Sequence, residues 1–291
     1  MNVTTAVIFA SGGGTRMLPA TSAVQKELLP ILNRPVIDYV VSDLIASGVT
    51  KIIFVIRPDS HGMQDYYTGN AALERQLERL GKHSALRELQ EIHEKAVFSF
   101  VEQPENAGYG TAVPLMVAKP HLPKNEAVFV AGGDDFIWRT DGRFEAAEMI
   151  DTFVQSGASA AVTALQCPAD QLHRYGVLAT KRQGSFEYLE QIVEKPEPGE
   201  APSNLINISK YIISPQVLPF LKKVKPDPKS GELYITDAIQ MAAAKLPVVV
   251  HQTKGTYLDS GNTANWLRAN LEVAAANSEL RQIIRDFAED L

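Results

Sequence analysis

Residues 6–19 read Ala6-Val7-Ile8-Phe9-Ala10-Ser11-Gly12-Gly13-Gly14-Thr15-Arg16-Met17-Leu18-Pro19, and Lys26-Glu27-Leu28-Leu29-Pro30 follows shortly after. The apolar run is what a parallel strand buried on both faces requires. Glycines directly after such a strand let backbone N–H groups crowd against a ligand, because glycine accepts positive φ and has no side chain to block approach. Arg16 and Lys26 add positive charge beside the turn. Amides plus cations suit a polyphosphate, so the loop is expected to cradle a nucleoside triphosphate. Two better-known glycine loops do not fit. A Walker loop needs a lysine directly after its last glycine, and the dinucleotide fingerprint G-x-G-x-x-G would need glycine at Met17. On the loop alone, a plain glycine-rich βα turn stays open.

Composition narrows the class. The chain has 291 residues, 45% of them apolar, with a net charge of −6. Nothing in that balance attracts nucleic acid or an anionic membrane. No run of 18 apolar residues spans a bilayer, and no basic-then-apolar leader is expected. The one cysteine, Cys167, has no partner motif and reads as a packing residue in a reducing cytoplasm. The six histidines are scattered without zinc-ligand spacing.

Strand and helix patterns alternate outward from the loop. Pro35 opens a helix and Gly48 closes it, with Val36, Ile37, Val40, Val41, Leu44 and Ile45 on one face. A strand at 51–57 completes a right-handed β-α-β unit. Residues 71–95, rich in Leu, Glu, Lys and Arg, predict a pair of exposed amphipathic helices inserted beyond the sheet. Strands follow at 97–101, 127–131 and 158–165, with helices near 111–118 and 144–155. The second half carries strands at 176–180, 186–194, 205–214 and 248–251. Helices are expected near 215–222, 236–244, 262–276 and 278–289. The expected fold is α/β: a Rossmann-like, mostly parallel mixed sheet flanked by helices, with a helical insertion and C-terminal helices. One domain over 1–291 is expected. It divides into a nucleotide-binding half near 1–130, a sugar-binding half near 131–260 and C-terminal helices at 262–291.

In such sheets ligands bind beyond the carboxyl ends of the strands. Gln103 follows the strand at 97–101, where an amide could read a base edge with Gly108 and Gly110 giving the base room against backbone. Asp134 follows the strand at 127–131, and Asp259 precedes a helix; each lies near glycine. Magnesium usually takes one or two carboxylates plus phosphate oxygens, so the two aspartates could share one ion. Each could equally cap a turn or helix. Glu194-Lys195-Pro196 ends a strand; Lys195 taken singly would be a solvated charge.

Together, Ala6–Pro30, Gln103–Ala112, Tyr175-Gly176-Val177, Glu194-Lys195-Pro196, Ser203-Asn204-Leu205, Thr236-Asp237-Ala238-Ile239 and Asp259-Ser260-Gly261-Asn262 resemble segments of the bacterial UTP–glucose-1-phosphate uridylyltransferases, in order and spacing, from residue 3 to about residue 275. The helical insertion is similar to that family too, and the related glucose-1-phosphate thymidylyltransferases lack it. The resemblance implies Mg2+-assisted transfer of a uridylyl group from UTP to glucose 1-phosphate, giving UDP-glucose and pyrophosphate, in a cytoplasmic homo-oligomer (dimer or tetramer). It implies that Ser11, Gly12, Gly13, Gly14 and Lys26, with Arg16, hold the triphosphate. Gln103 would then read uracil with Gly108 beside it. Gly176, Glu194 and Lys195 would bind the sugar phosphate, and Asp134 and Asp259 the metal. Arg16, Lys195 and Asp134 would carry catalysis.

Five positions depart from the family pattern: Ser11 for alanine, Ser22 for lysine, Glu102 for a basic residue, and Gly132-Gly133 for Leu-Pro or Leu-Gly. Ser22 and Glu102 make the nucleotide side less positive. Rival readings are a related transferase using dTTP or another hexose 1-phosphate, and a non-catalytic nucleotide-sugar sensor. A dinucleotide-dependent reductase is disfavoured by Met17.

Overall fold

The opening apolar run forms β1 (Thr5–Ala10), in which Ala6, Val7 and Ile8 are wholly buried. The computed structural model describes residues 1–58, 60–197 and 199–290. Leu291, the end of the expected C-terminal helical region, lies outside the described residues. After β1 the chain makes short 3-10 turns and a two-residue ribbon, β2 (Pro30–Ile31) and β3 (Arg34–Pro35). Then come α1 (Val36–Ala46), β4 (Lys51–Ile56), α2 (His61–Thr68), α3 (Ala71–Arg79), α4 (His83–Glu94) and β5 (Val97–Glu102). These are followed by α5 (Val113–Ala118), β6 (Val128–Gly132), β7 (Asp135–Trp138), α6 (Glu145–Ser156) and β8 (Ala160–Gln166). The remainder is β9 (Gly176–Gln183), β10 (Phe186–Glu194), β11 (Leu205–Ile213), α7 (Leu218–Leu221), α8 (Ile235–Ala243), β12 (Val248–Gln252), β13 (Thr256–Asp259), α9 (Thr263–Ala275) and α10 (Ser278–Glu289).

Among the described residues, nine strands form one sheet in the order β5-β4-β1-β6-β11-β8-β12-β10-β9. β5, β4, β1 and β6 are mutually parallel, and so are β8 and β12. β11, β10 and β9 pair antiparallel. The parallel strands read as continuous apolar runs because both faces are covered. α1, α6 and α9 bury their apolar residues on one face, and α5, α7 and α8 on the other. α3 and α4 have no fully buried residue, as expected of an inserted amphipathic pair. α1 begins at Val36 with Pro35 at its cap, one residue later than the sequence reading.

The parallel run brings four loops to one edge: Ser11–Gly14 after β1, Arg57 after β4, Gln103 after β5, and Gly133-Asp134 after β6. β10 runs the other way and does not deliver Glu194 there by direction. Instead β9 also pairs with β11, Ile206 opposite Val177. That pairing closes the antiparallel half on itself. It brings Gly176, and Glu194 opposite it, to the start of β11, where β8 ends at Gln166 opposite Leu205. Two further links join the halves at this edge. β13 pairs with β7, Asp259 opposite Asp135, and Ser260 donates its N–H and its hydroxyl to the Asp134 carbonyl at 3.0 and 2.8 Å.

α1 and α6 are tied by the Ala146 N–H, which donates to Asp43 Oδ2 at 3.1 Å. Burial pushes the Asp43 carboxyl up from 3.8 to about 6. The folded chain therefore binds this proton more tightly than the unfolded chain. Its stabilising contribution is fully present below the ordinary value of 3.8 and is lost as pH rises through about 6. The difference corresponds to at most about 3 kcal/mol. Urea unfolding at several pH values between about 4 and about 7.5 should show this loss, and Asp43→Asn should flatten it. An unchanged pH slope in the variant would assign the effect to other groups.

Candidate active site

The glycine loop is built as a receptor. Gly14 takes φ 64°, and its carbonyl accepts from the Met17 N–H at 2.9 Å and the Thr21 hydroxyl at 2.8 Å. Among the described residues, none of the amide N–H groups of Gly12, Gly13 and Gly14 donates to another group of the chain. Gly12 lies against Lys26: a Cβ there would sit 3.0 Å from Lys26 Cε and 3.1 Å from Nζ. The loop and its lysine thus share one space.

Lys26 Nζ donates to Asp134 Oδ2 at 2.6 Å. The sequence gives these two groups different partners, and the fold sets them on each other because β1 and β6 are neighbours. Burial works against charge on both, yet each partner holds the other ionised. Lys26 lies above the usual lysine range and Asp134 below the usual carboxylate range. Glu27, almost wholly buried, lies 3.7 Å from Lys26 Nζ, and burial pushes its carboxyl up. Asp259 is fixed through both oxygens: Oδ1 accepts from the Gly261 N–H at 2.6 Å and Oδ2 from Asn265 Nδ2 at 2.9 Å. Arg16 reaches the same turn, since a Cβ on Gly261 would lie 3.0 Å from Arg16 Nη2 and 2.8 Å from Asp259 Oδ1. Asp135 is buried with Lys210, which donates to Oδ1 at 2.8 Å, and Tyr257, which donates to Oδ2 at 3.0 Å. That trio is a structural anchor under Asp134 and Asp259.

Among the described residues, no group of three or more His, Cys, Asp or Glu could hold a metal ion as an all-protein cage. The Asp134–Asp259 pair is a different kind of donor set. Its oxygens are hard, Lys26 pairs with Asp134, and Arg16 lies at the turn that holds Asp259. It suits magnesium, which keeps waters and phosphate oxygens in its shell.

Gln103 is oriented by Ser11, whose hydroxyl donates to Oε1 at 2.8 Å. Both border a cavity of about 630 Å3 that also meets Ser22, Gln25, Arg57 and Ser60. This is the size of a nucleotide or small-ligand site. Arg57 is not among the residues expected from the sequence; its place after a parallel strand is the signal that could have found it. Gly110, expected to give a base room, instead lies against Leu233: a Cβ there would be 2.3 Å from the Leu233 N.

At the other end of the edge, Glu194 Oε2 accepts from the Thr236 hydroxyl at 2.9 Å, and a Cβ on Gly176 would lie 2.9 Å from the same oxygen. Only glycine at 176 leaves Glu194 this seat. Burial holds the Glu194 carboxyl above the usual range, against the hydrogen bond from Thr236. Lys195 lies apart from the Lys26–Asp134 pair; its Nζ donates to Glu232 Oε2 at 3.0 Å and to the Tyr234 hydroxyl at 2.9 Å. Thr236, Glu232 and Tyr234 were not singled out from sequence, although Thr236 stands in one of the family-like segments.

The profile of the Nucleotidyl transferase family matches residues 5–276. This chain is a member of that family. A UTP–glucose-1-phosphate uridylyltransferase of Staphylococcus epidermidis is 32% identical over 98% of this chain and 97% of its own length. One of Bacillus subtilis is 31% identical over 98% of this nucleotidyl transferase and 96% of the relative. Among solved structures, a UTP-bound enzyme of the same kind from Acinetobacter baumannii superposes with a TM-score of 0.89 at 27% identity, covering 100% of both chains. A UDP-glucose pyrophosphorylase complexed with UDP-glucose superposes with a TM-score of 0.84 at 25% identity, covering 95% of this nucleotidyl transferase and 100% of that chain. Among the described residues, no helix is long and apolar enough to cross a membrane.

Proposed function

We propose that the chain transfers a uridylyl group from UTP to glucose 1-phosphate, giving UDP-glucose and pyrophosphate. The observation that carries this reading is the single edge on which the unpartnered amides of Gly12–Gly14 and the Lys26–Asp134 pair accompany the Gln103 cavity and the Gly176–Glu194 cluster. The names of the relatives above support it.

The triphosphate lies on the amides of Ser11–Gly14 with Arg16 and Lys26 as its cations. Gln103 presents its amide to the uracil edge, with Gly108 alongside. Glu194 orients the hexose hydroxyls over Gly176, and Lys195 holds the sugar phosphate. That phosphate is already anionic, so no general base is needed. Its oxygen attacks the α-phosphorus as the bond to pyrophosphate breaks, and the chain's part is alignment and charge neutralisation. Asp134 and Asp259 would hold a magnesium ion, which when bound neutralises triphosphate charge. The division into a nucleotide half near 1–130 and a sugar half near 131–260 belongs to the same proposal. So do a cytoplasmic setting and a homo-oligomer of two or four chains; the exposed Leu271, Ile283 and Phe287 of α9 and α10 support the latter.

Nucleotide choice tests the reading. UTP should be used in clear preference to CTP and the purine triphosphates, with a smaller margin over dTTP, whose pairing edge is the same. Gln103→Ala should lower kcat/KM for UTP by about 5- to 150-fold, the equivalent of about 1–3 kcal/mol for an unmatched buried polar group. ATP or GTP as the best donor would overturn the uridylyl assignment.

A further inference from the structure

Lys195 has φ 45°, a left-handed value uncommon for a side-chain-bearing residue, and its N–H donates to the Tyr175 carbonyl at 3.0 Å. Its ammonium is seated as well. Two of its three N–H bonds go to Glu232 Oε2 and the Tyr234 hydroxyl, and Nζ lies 4.8 Å from the centre of the Tyr234 ring. Tyr234 is 7% exposed and the Glu232 side chain 18%, whereas the Lys195 side chain is 46% exposed. The seat is firmer than the group it holds.

What makes it firm comes from the nucleotide side. Leu233 donates its N–H to the Tyr109 carbonyl and accepts from the Ala112 N–H, both at 2.8 Å. The Ile235 N–H donates to the Thr111 hydroxyl at 3.0 Å. Gly110, at φ 124°, lets this crossing come within backbone contact. Ser230 Oγ and the Tyr234 hydroxyl are hydrogen-bonded at 3.0 Å. On the far side Thr236 holds Glu194. Residues 230–236 therefore form a strap, anchored to residues 109–112 beyond Gln103 and to the end of β10.

We propose that Glu232 and Tyr234 are positioning residues for the sugar 1-phosphate, seating Lys195 so that its remaining N–H is offered to the phosphate. An unrestrained lysine loses rotamer freedom when it binds, and a seated one has already lost it. Burial alone would depress the Lys195 ammonium, but its bonds to Tyr234 and Glu232 hold it above the usual lysine range and charged. The inference rests on the reading of Lys195 as the sugar-phosphate cation.

Two variants preserve shape: Glu232→Gln and Tyr234→Phe. Each should raise KM for glucose 1-phosphate about 5- to 20-fold, leave kcat within about twofold, and leave UTP affinity by calorimetry unchanged. A residue that only stabilises the fold would not split the constants in this way. In a Lys195→Ala background, either substitution should change kcat/KM by less than about twofold, because the effect acts through the lysine. A sugar KM that stays constant or falls in both variants, or an effect that persists without Lys195, overturns the proposal. If Lys195→Ala itself leaves kcat/KM for glucose 1-phosphate unchanged, the underlying reading of Lys195 falls and this inference with it. If Lys195→Ala lowers it while Glu232→Gln and Tyr234→Phe leave the sugar KM unchanged, only the positioning role falls.

Discussion

Lys195→Ala is expected to lower kcat/KM for glucose 1-phosphate by about 10²- to 10⁴-fold, because on the proposed mechanism it removes the charge that aligns the attacking oxygen. UTP binding should change little, since the glycine loop, Arg16 and Lys26 stand on the other side of the site and Lys195 touches none of them. Its contacts are Glu232, Tyr234 and the Tyr175 carbonyl. Calorimetry with UTP beside steady-state kinetics separates the two effects. Lost UTP affinity with normal turnover at saturating UTP would move Lys195 to the triphosphate site and leave the sugar phosphate without its cation.

Asp134→Asn is expected to cost several kcal/mol of transition-state stabilisation, a fall of about 10²- to 10⁴-fold in kcat/KM. Two consequences add here. On the proposed mechanism the variant loses a carboxylate ligand, and it leaves Lys26 without the partner now 2.6 Å away. Wild type in excess EDTA should be inactive and recover with magnesium. Asp259→Asn should also cost several kcal/mol but less than Asp134→Asn, since it keeps Lys26 paired, so the difference between the two variants gives the lysine's share. Full turnover by either variant, or by wild type in EDTA, would remove the metal from the account.

Some of this was legible in the sequence for a physical reason. β1, β4 and β6 are buried on both faces, so their apolar runs are unbroken and stop at or within two residues of a glycine or proline. α3 and α4 show helical periodicity because solvent covers one side. α2 escaped detection because its anchors, Met63 and Tyr67, are only two buried residues in a polar segment that contains Gly62. β7 and β13 escaped for another reason. They are four residues each, more than a hundred apart, and the first directly follows a Gly-Gly-Asp turn signal. Within the site, glycine punctuation exposed Asp134, whereas Gly176 came only with the family resemblance. The Lys26–Asp134 pair and the Glu232–Tyr234 seat depend on contacts 108, 37 and 39 residues apart, and no local spacing records them. The direction of β10 would have misled: Glu194 reaches the site through the β9–β11 pairing.

In the proposed reaction a sugar-phosphate oxygen attacks the α-phosphorus of UTP. That attack is tested most directly by incubating the enzyme with UTP and glucose 1-phosphate labelled with oxygen-18 in all its non-bridging phosphate oxygens. Mass spectrometry of the products should find the whole label in UDP-glucose, one atom of it bridging the two phosphorus atoms, and unlabelled pyrophosphate. Release of labelled inorganic phosphate or labelled pyrophosphate, or no UDP-glucose at all, would contradict the account.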